Sequence, residues 1–295
     1  MIVIKETGRF GNQLFQLNFC LNLLKKNEKI IFLGFKDLFK FVKKDNCFIF
    51  FDYKSLISKI FFILIKISKK FNLINFIIED DKNKILQTTG LFSKITFING
   101  YFESEKYVNK KIFLQFKPMK QEVKALKFIS NLKKRVNSKI FFVHIRLMDQ
   151  LVGCFKEASS ELPLTWYFKC KKILRKKFKN VKFIYLSDDL NFLKDNFKKD
   201  LFIKSRDKYY NFYIMKNCDG GILSPSTFSW WAAFLSNKNS FYAPEYWHGH
   251  KKKIFFPKHM RSTFIKYIPV LKKEYLKKIK NESKFYKSHY NVVRN

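Results

Sequence analysis

The chain has 295 residues, 47% of them hydrophobic, which is enough to bury a large core and predicts two domains. Sixty Lys and Arg against twenty-three Asp and Glu give a formal net charge of +37. Only seven of the sixty are Arg, the residue that nucleic-acid readers favour, so the composition argues against a nucleic-acid partner. The charge still predicts attraction to anionic lipid or to phosphorylated ligands.

Three signals bear on the compartment. The longest apolar run, residues 60–67, is too short to span a bilayer, and residues 1–5 predict a strand rather than a signal peptide. The cysteines form no CxxC pair, which indicates reduced core residues: Cys20, Cys47, Cys154, Cys170 and Cys218. We therefore expect a cytoplasmic protein, with peripheral binding to the inner membrane as a further expectation.

The first half of the chain alternates predicted strands and helices. The predictions are a strand at 2–5, a glycine-bracketed loop at 8–11, a helix at 12–26 and a strand at 30–33. Residues 36–75 are rich in Lys and Phe and predict helix despite poor periodicity. Residues 87–105 predict turns, and 121–136 predict an amphipathic helix.

The alternation restarts after a boundary predicted at 134–139. Strands are predicted at 140–145, 181–186 and 220–223, with helices at 163–178, 211–218 and from near Thr227. Two such halves predict two Rossmann-like α/β domains facing a central cleft. We assign an N-terminal domain to 1–136, a C-terminal domain to 137–270 and a basic tail to 271–295. The tail predicts either a helix on an anionic membrane surface or a solvated end.

A glycine-bracketed loop, GRFGNQ, follows the first strand at 8–13. Gly8 and Gly11 let the backbone approach a ligand closely, while Asn12 and Gln13 offer amide groups where a helix starts. With Arg9, these glycines are candidate ligand-binding residues. The loop lacks the third glycine that signals a dinucleotide site.

The segment FFVHIRLMD at 141–149 predicts an apolar strand that carries polar residues to a sheet edge. His144 and Arg146 lie on one face, and Asp149 follows the carboxyl end. That end borders the ligand cleft in an open α/β sheet, so Arg146 could bind a diphosphate with two hydrogen bonds. An edge strand with Arg146 paired to Asp149 is the alternative interpretation.

Residues 224–235, SPSTFSWWAAFL, predict a turn followed by a helix. The N–H groups and dipole of a helix N-terminus suit a phosphate or diphosphate, which makes Ser226, Thr227, Phe228 and Ser229 candidate ligand-binding residues. The alternative is a well-capped core helix that binds nothing.

The remaining polar clusters do not predict a metal site. Asp188 and Asp189 lack DxD spacing, so a ribose contact or a solvated turn is expected for Asp188. His248 and His250 have no carboxylate or thiol at ligand spacing. We expect neither a metal nor another cofactor.

Six segments in order resemble the motifs of bacterial α1,2-fucosyltransferases of glycosyltransferase family 11. They are GRFGNQLFQ at 8–16, NGYFESEKY at 99–107, HIRLMD at 144–149, LPLTWY at 162–167, FIYLSDD at 183–189 and SPSTFSWWAAFL at 224–235. The resemblance implies a GT-B fold, a GDP-fucose donor, a galactoside acceptor in a surface glycan such as lipopolysaccharide or capsule, inversion at the anomeric carbon and no metal. It assigns acceptor binding to the N-terminal domain and the GDP-sugar to the C-terminal one.

One motif departs from this family. The family pattern is HxRRGD, whereas Leu147 and Met148 stand here in place of the second Arg and the Gly. Another GDP-sugar donor is therefore an alternative, and a basic protein that binds nucleic acid or membrane without catalysis is a second, supported only by charge.

The expected chemistry assigns roles to a few residues. Arg146 and the helix N-terminus would stabilise the departing diphosphate without a metal. Candidate bases for the acceptor hydroxyl are Asp149, Glu6 and Glu103, and the resemblance adds Asn12 near the reacting centre.

Overall fold

The chain forms two compact α/β units. The computed structural model describes residues 1–43, 45–80, 84–108, 112, 115–147, 162–248, 254–255, 261–271 and 273–274. The units are Met1–Met119 and Lys120–Asn295, and each contains a six-stranded sheet. The predicted pair of Rossmann-like α/β units, which is the composition of the GT-B fold, is confirmed.

The first unit alternates strands with helices. Its elements are β1 Ile2–Lys5, α1 Phe10–Leu23, β2 Ile30–Leu33, α2 Lys36–Phe41, β3 Phe48–Phe51, α3 Leu56–Lys70, β4 Ile74–Glu79, β5 Ile85–Thr88 and β6 Phe92–Asn99. The sheet order is β3-β2-β1-β6-β4-β5, with every pair parallel except β4–β5. The carboxyl ends of β1, β2, β4 and β6 therefore lie along one edge, which is where ligands bind in parallel sheets.

Two strands of this unit differ from the sequence-based expectation. β3 interrupts the region predicted to be helical, because its run FIFF pairs with β2 at the edge of the sheet. α2, α3 and the start of β4 share the rest of that region. β6 occupies a region predicted to be turns, yet it lies between β1 and β4 in the sheet. Ile95 and Phe97 of β6 pack in the core, whereas the Gly and Asn residues that suggested turns stand at its ends.

The second unit has an all-parallel sheet. Its elements are α4 Lys120–Val136, β7 Lys139–Ile145, α5 Leu164–Lys177, β8 Val181–Ser187, α6 Leu190–Asn196, β9 Leu201–Phe202, α7 Lys208–Asn217, β10 Gly220–Ile222, α8 Thr227–Leu235, β11 Phe241–Pro244 and β14 Ile265–Ile268, with a small hairpin of β12 Tyr246–His248 and β13 Ile254–Phe255. The strand order is β14-β11-β10-β7-β8-β9.

Two glycines of β10 lie against aromatic rings of the neighbouring strand. A Cβ added to Gly220 would lie 2.5 Å from the ring of Phe141, and one added to Gly221 would lie 2.4 Å from the ring of Phe142. The paired glycines of β10 therefore leave room for the two phenylalanines of β7 beside them. On the same core, the buried Trp166 of α5 donates from Nε1 to the Ile268 carbonyl at 3.2 Å.

The division between the units lies at 119/120 rather than at the predicted 136/137. α4 belongs to the second unit because it is tied to α7 and to the loop before β10. Lys216 on α7 reaches Glu122 at 2.6 Å, and Lys133 reaches Asp219 at 2.7 Å. The alternation of strands and helices could not place this boundary, because a helix between two sheets can pack on the sheet before it or on the sheet after it.

The cysteines that the structure describes carry no disulfide, and three of the four are buried. Cys20, Cys170 and Cys218 are buried and free, Cys47 is half-buried and free, and Cys154 lies outside the described residues. Over the part of the chain that the structure describes, no helix is long and apolar enough to cross a membrane.

Candidate functional site

One buried hydroxyl organises the carboxyl edge of the second unit. Ser224 Oγ donates to the His144 carbonyl at 2.7 Å and accepts the Arg146 N–H at 3.0 Å. Tyr167 OH lies 2.7 Å away, and because the single Ser224 proton goes to a carbonyl, Tyr167 is the donor of that bond. Burial raises the pKa of Tyr167 far above its ordinary value, which keeps the phenol protonated. Ser224 thus fixes the end of β7 against the loop after β10.

Arg146 lies beside this loop. Its backbone is held by Ser224, and its Nη1 donates to the Pro225 carbonyl at 3.3 Å. A guanidinium carries five N–H donors in a fixed plane. The structure therefore brings together the guanidinium and the SPS turn that the sequence singled out separately.

The N-terminus of α8 begins at this turn. Ser226 is the N-cap residue, and its side chain makes no capping hydrogen bond to the first turn of the helix. Ser229 Oγ instead donates back to the Ser226 carbonyl at 3.2 Å. Trp230 anchors the helix by donating from Nε1 to Ser262 Oγ at 2.6 Å. α8 thus begins at Thr227, close to Arg146. The N–H groups of a first helical turn next to a guanidinium form an arrangement that suits phosphate oxygens.

The other predicted donor-site residues of this unit surround the same edge. The buried His144 ring lies 6.0 Å from the half-buried Phe228 ring, centroid to centroid. Asp188 Oδ1 accepts the Leu147 N–H at 2.9 Å, so this carboxylate connects the ends of β7 and β8. That contact gives the exposed Asp188 a structural role and keeps it within the edge.

The glycine loop of the first unit holds Asn12 in place. Gly8 has φ +76°, and a Cβ there would lie 2.1 Å from Asn12 Nδ2. Only glycine therefore combines this backbone with an Asn12 side chain lying over it. Arg9 is exposed as the N-cap residue of α1, without a side-chain capping bond, and Gly11 is buried in the first turn.

Glu6, at the carboxyl end of β1, is held by the same motif. Gln13 Nε2 donates to Glu6 Oε1 at 2.8 Å, while Gln13 Oε1 accepts the Leu38 N–H at 3.0 Å. Burial raises the pKa of Glu6, although the Phe35 N–H and the Gln13 amide oppose that shift. A carboxylate with a raised pKa is a stronger base than an ordinary one.

Sequence reasoning missed the residues that tie this edge together. The fully buried Gln16 donates from Nε2 to the carbonyls of Lys5, at 3.2 Å, and Gly100, at 2.9 Å. Glu79 Oε2 accepts the N–H groups of Tyr101 and Phe102, each at 2.7 Å. Gln16 stands among apolar residues in the GRFGNQLFQ motif, so its polar side chain in an apolar helix was the available signal, whereas nothing in the sequence pointed to Glu79.

Several predicted residues cannot be placed in the site. Asp149, His250 and 275–295 of the predicted tail lie outside the described residues. Glu103 is half-buried next to the 3₁₀ turn Glu105–Tyr107 of the first unit. In the described ranges, no group of three or more His, Cys, Asp or Glu residues is placed to hold a metal ion.

Comparison with protein families gives a match over most of the chain. Residues 1–253 match Glycosyl transferase family 11. An alpha-1,2-colitosyltransferase of Escherichia coli is 26% identical over 191 residues, which cover 52% of this chain and 64% of that relative. The match thus spans just under two thirds of the relative's length.

The solved structures that match the chain are more distant from it in sequence. The fucosyltransferase NodZ from Bradyrhizobium is 15% identical with a TM-score of 0.45, covering 78% of this chain and 91% of that chain. FUT1 of Arabidopsis thaliana, solved as a mutant in complex with GDP, is 13% identical with a TM-score of 0.46, covering 88% of this chain and 74% of that chain.

Proposed function

The chain belongs to glycosyltransferase family 11, and from that membership we propose that it transfers L-fucose from GDP-fucose to the 2-hydroxyl of a galactoside in a bacterial surface glycan. The transfer inverts the anomeric carbon. The GDP-sugar is the donor substrate, and no metal or other cofactor takes part.

The single observation that carries this proposal is the convergence of Arg146 and the α8 N-terminus on one turn. The Arg146 guanidinium donates to the Pro225 carbonyl, and the helix starts two residues later at Thr227. When the bond from the sugar to the diphosphate breaks, negative charge grows on the departing phosphate oxygens. A guanidinium and helix N–H groups fixed before the reaction stabilise that charge more than they stabilise the intact donor.

The acceptor hydroxyl must lose its proton as it attacks the anomeric carbon. Glu6, Asp149 and Glu103 remain the candidates for the base, and Asn12 is proposed to lie near the reacting centre. Glu6 has the strongest support, because Gln13 fixes its position and burial raises its pKa. A base with a raised pKa accepts a proton more readily at neutral pH.

A second candidate donor has its own support. Leu147 and Met148 replace the second Arg and the Gly of HxRRGD, and the E. coli relative is named as a colitosyltransferase. Transfer of colitose, or of another sugar carried by GDP, therefore stands as the alternative donor specificity on the same diphosphate-binding site.

A donor panel separates these possibilities. The protein is incubated with GDP-fucose, GDP-colitose, GDP-mannose and UDP-galactose, with and without β-galactosides, and nucleotide release and product linkage are measured. We expect acceptor-dependent GDP release with GDP-fucose and an α1,2 product. Faster release with GDP-colitose would support the second donor instead. Absence of turnover with every GDP-sugar would favour a basic binding protein without catalysis.

A further inference from the structure

The outer face of α3 is an apolar surface that the first unit leaves exposed. Seven large hydrophobic side chains of α3 and its C-cap are each between 44% and 72% exposed: Leu56, Ile57, Ile60, Ile63, Leu64, Ile67 and Phe71. We call this set the α3 stripe. Because its members recur mostly at intervals of three and four residues, they lie on one face of the helix. The stripe is about 22 Å long at 1.5 Å per residue.

The α3 stripe is a feature of a well-formed helix. Ser55 caps α3 by accepting the Ser58 N–H at 3.1 Å, and Ser58 Oγ donates to the Asp52 carbonyl at 2.7 Å. The opposite face packs on the sheet through Phe61, Phe62 and Ile65. α3 therefore has two apolar faces. One packs on the sheet, and the other, the α3 stripe, is exposed in the described structure.

The exposed surface continues past the end of the helix. The Leu91 N–H donates to the carbonyl of Asn72, the residue after the Phe71 C-cap, at 3.1 Å. Leu91 is 79% exposed and Phe92 is 60% exposed. An apolar surface of this extent is unusual for a soluble domain and marks an interaction site.

The charged residues around the α3 stripe indicate what kind of partner binds it. Lysines are the only charged residues between Asp52 and Glu79, at Lys54, Lys59, Lys66, Lys69 and Lys70. Lys59, Lys66 and Lys70 recur at intervals of seven and four, so they line one edge of the α3 stripe. A second copy of the chain would bring these like charges together on a protein of net charge +37. An anionic lipid surface satisfies both the lysines and the apolar side chains.

We propose that the α3 stripe, with Lys59, Lys66 and Lys70 at its edge, docks the protein on an anionic membrane surface, the apolar side chains entering the interface and the lysines contacting lipid headgroups. This docking does not depend on the proposed transfer reaction. It also assigns membrane binding to the first unit, separately from the predicted role of the 271–295 tail.

Matched variants of the full chain test the apolar part. Ile60→Gln/Leu64→Gln changes the α3 stripe, while Val123→Gln/Leu126→Gln changes side chains of similar exposure on α4. Co-sedimentation is measured with vesicles of phosphatidylglycerol and phosphatidylcholine in equal parts, and with phosphatidylcholine alone. We expect the α3 variant to bind anionic vesicles about tenfold more weakly or worse, and the α4 variant to match wild type.

A second pair tests the charge and holds even if the first variant fails to fold. Lys59→Gln/Lys66→Gln should weaken binding several-fold and flatten its dependence on salt, whereas Lys124→Gln/Lys127→Gln on α4 should change neither. Equal losses for the α3 and α4 variants of either pair would overturn the proposal. A lipid-free dimer that Ile60→Gln/Leu64→Gln dissociates would overturn it in favour of a second copy.

Discussion

Arg146 and Ser224 show how single side chains define the candidate donor site. Ser224 Oγ binds the His144 carbonyl, the Arg146 N–H and the Tyr167 hydroxyl, so three segments meet at one buried atom. Arg146 then extends from a backbone that cannot shift without breaking those bonds. Its guanidinium is then positioned by a hydrogen bond to the Pro225 carbonyl.

Substitution of Arg146 tests its proposed role on the departing diphosphate. Arg146→Ala should lower the rate of transfer by about 10²-fold or more, and Arg146→Lys should recover little, because an ammonium cannot make the paired contact of a guanidinium. Arg135→Ala, at an exposed position of α4, is the matched control. Steady-state kinetics with circular dichroism measure both effects. A folded Arg146→Ala enzyme with a wild-type rate would contradict the assignment.

A double-mutant cycle tests whether Ser224 acts as a hub. Ser224→Ala leaves buried groups without their partner and should cost about 2–4 kcal/mol in the free energy of unfolding. Tyr167→Phe removes one bond and should cost about 1 kcal/mol. The double variant should cost less than the sum, since both changes remove the same bond. Urea unfolding provides the measurement, and additive losses would mean that Tyr167 and Ser224 act separately.

Individual site residues could be predicted only where their chemistry is visible in sequence. Arg146 and the SPS turn were identified, but their closeness required the parallel pairing of β7 with β10. Gln16 and Glu79 could not be assigned, because each acts on backbone groups far along the chain, such as the Gly100 carbonyl and the Tyr101 N–H. The local pattern around a residue does not contain such contacts.

At the scale of elements, β6 and the loop after it determine the first unit's edge. β6 pairs with β1 and β4, and the following 100–102 segment is held by Gln16 and by Glu79. Phe102 has φ +54° and stacks on Phe19 of α1 with ring centroids 3.9 Å apart. The start of the NGYFESEKY motif is thus held by a side chain of α1 and by a side chain of β4. Its composition suggested a turn but did not show these contacts.

The Glu79 carboxylate gives this attachment a dependence on pH. Burial raises the pKa of Glu79, more than the Tyr101 and Phe102 N–H groups lower it. The folded state therefore binds this proton at higher pH than the unfolded state, so the contribution of Glu79 to stability is greatest below its unfolded pKa and is lost as pH rises through the folded value.

Two substitutions separate charge from hydrogen bonding at Glu79. Glu79→Gln removes the titration, so its stability relative to wild type should increase as pH rises from the ordinary carboxyl pKa through the higher folded pKa. Glu79→Ala removes both the titration and the acceptor of two N–H groups, so it should be about 2 kcal/mol less stable than the Gln variant at every pH measured. Urea unfolding at several pH values measures both. A Gln variant whose difference from wild type is constant with pH would contradict the direction of the shift.

At the scale of the whole molecule, strand and helix alternation predicted two α/β units correctly. Apolar periodicity located β1, β2 and β7 because their neighbours are glycine or polar turns. The boundary was misplaced by one helix, since α4 carries the same amphipathic pattern whichever sheet it covers. The α3 stripe also escaped prediction, because composition gives the number of hydrophobic residues and only the packed unit shows which of them remain exposed.

The most direct test of the account is transfer of labelled fucose from GDP-fucose to a β-galactoside in excess EDTA, by wild type and by Arg146→Ala. We expect an α1,2-linked labelled product with wild type, unaffected by the chelator, and at least about 10²-fold less product with the variant. Loss of turnover that Mn²⁺ or Mg²⁺ restores would contradict metal independence. Equal product from both proteins, or no product from wild type with any GDP-sugar, would contradict the donor site at Arg146 and α8.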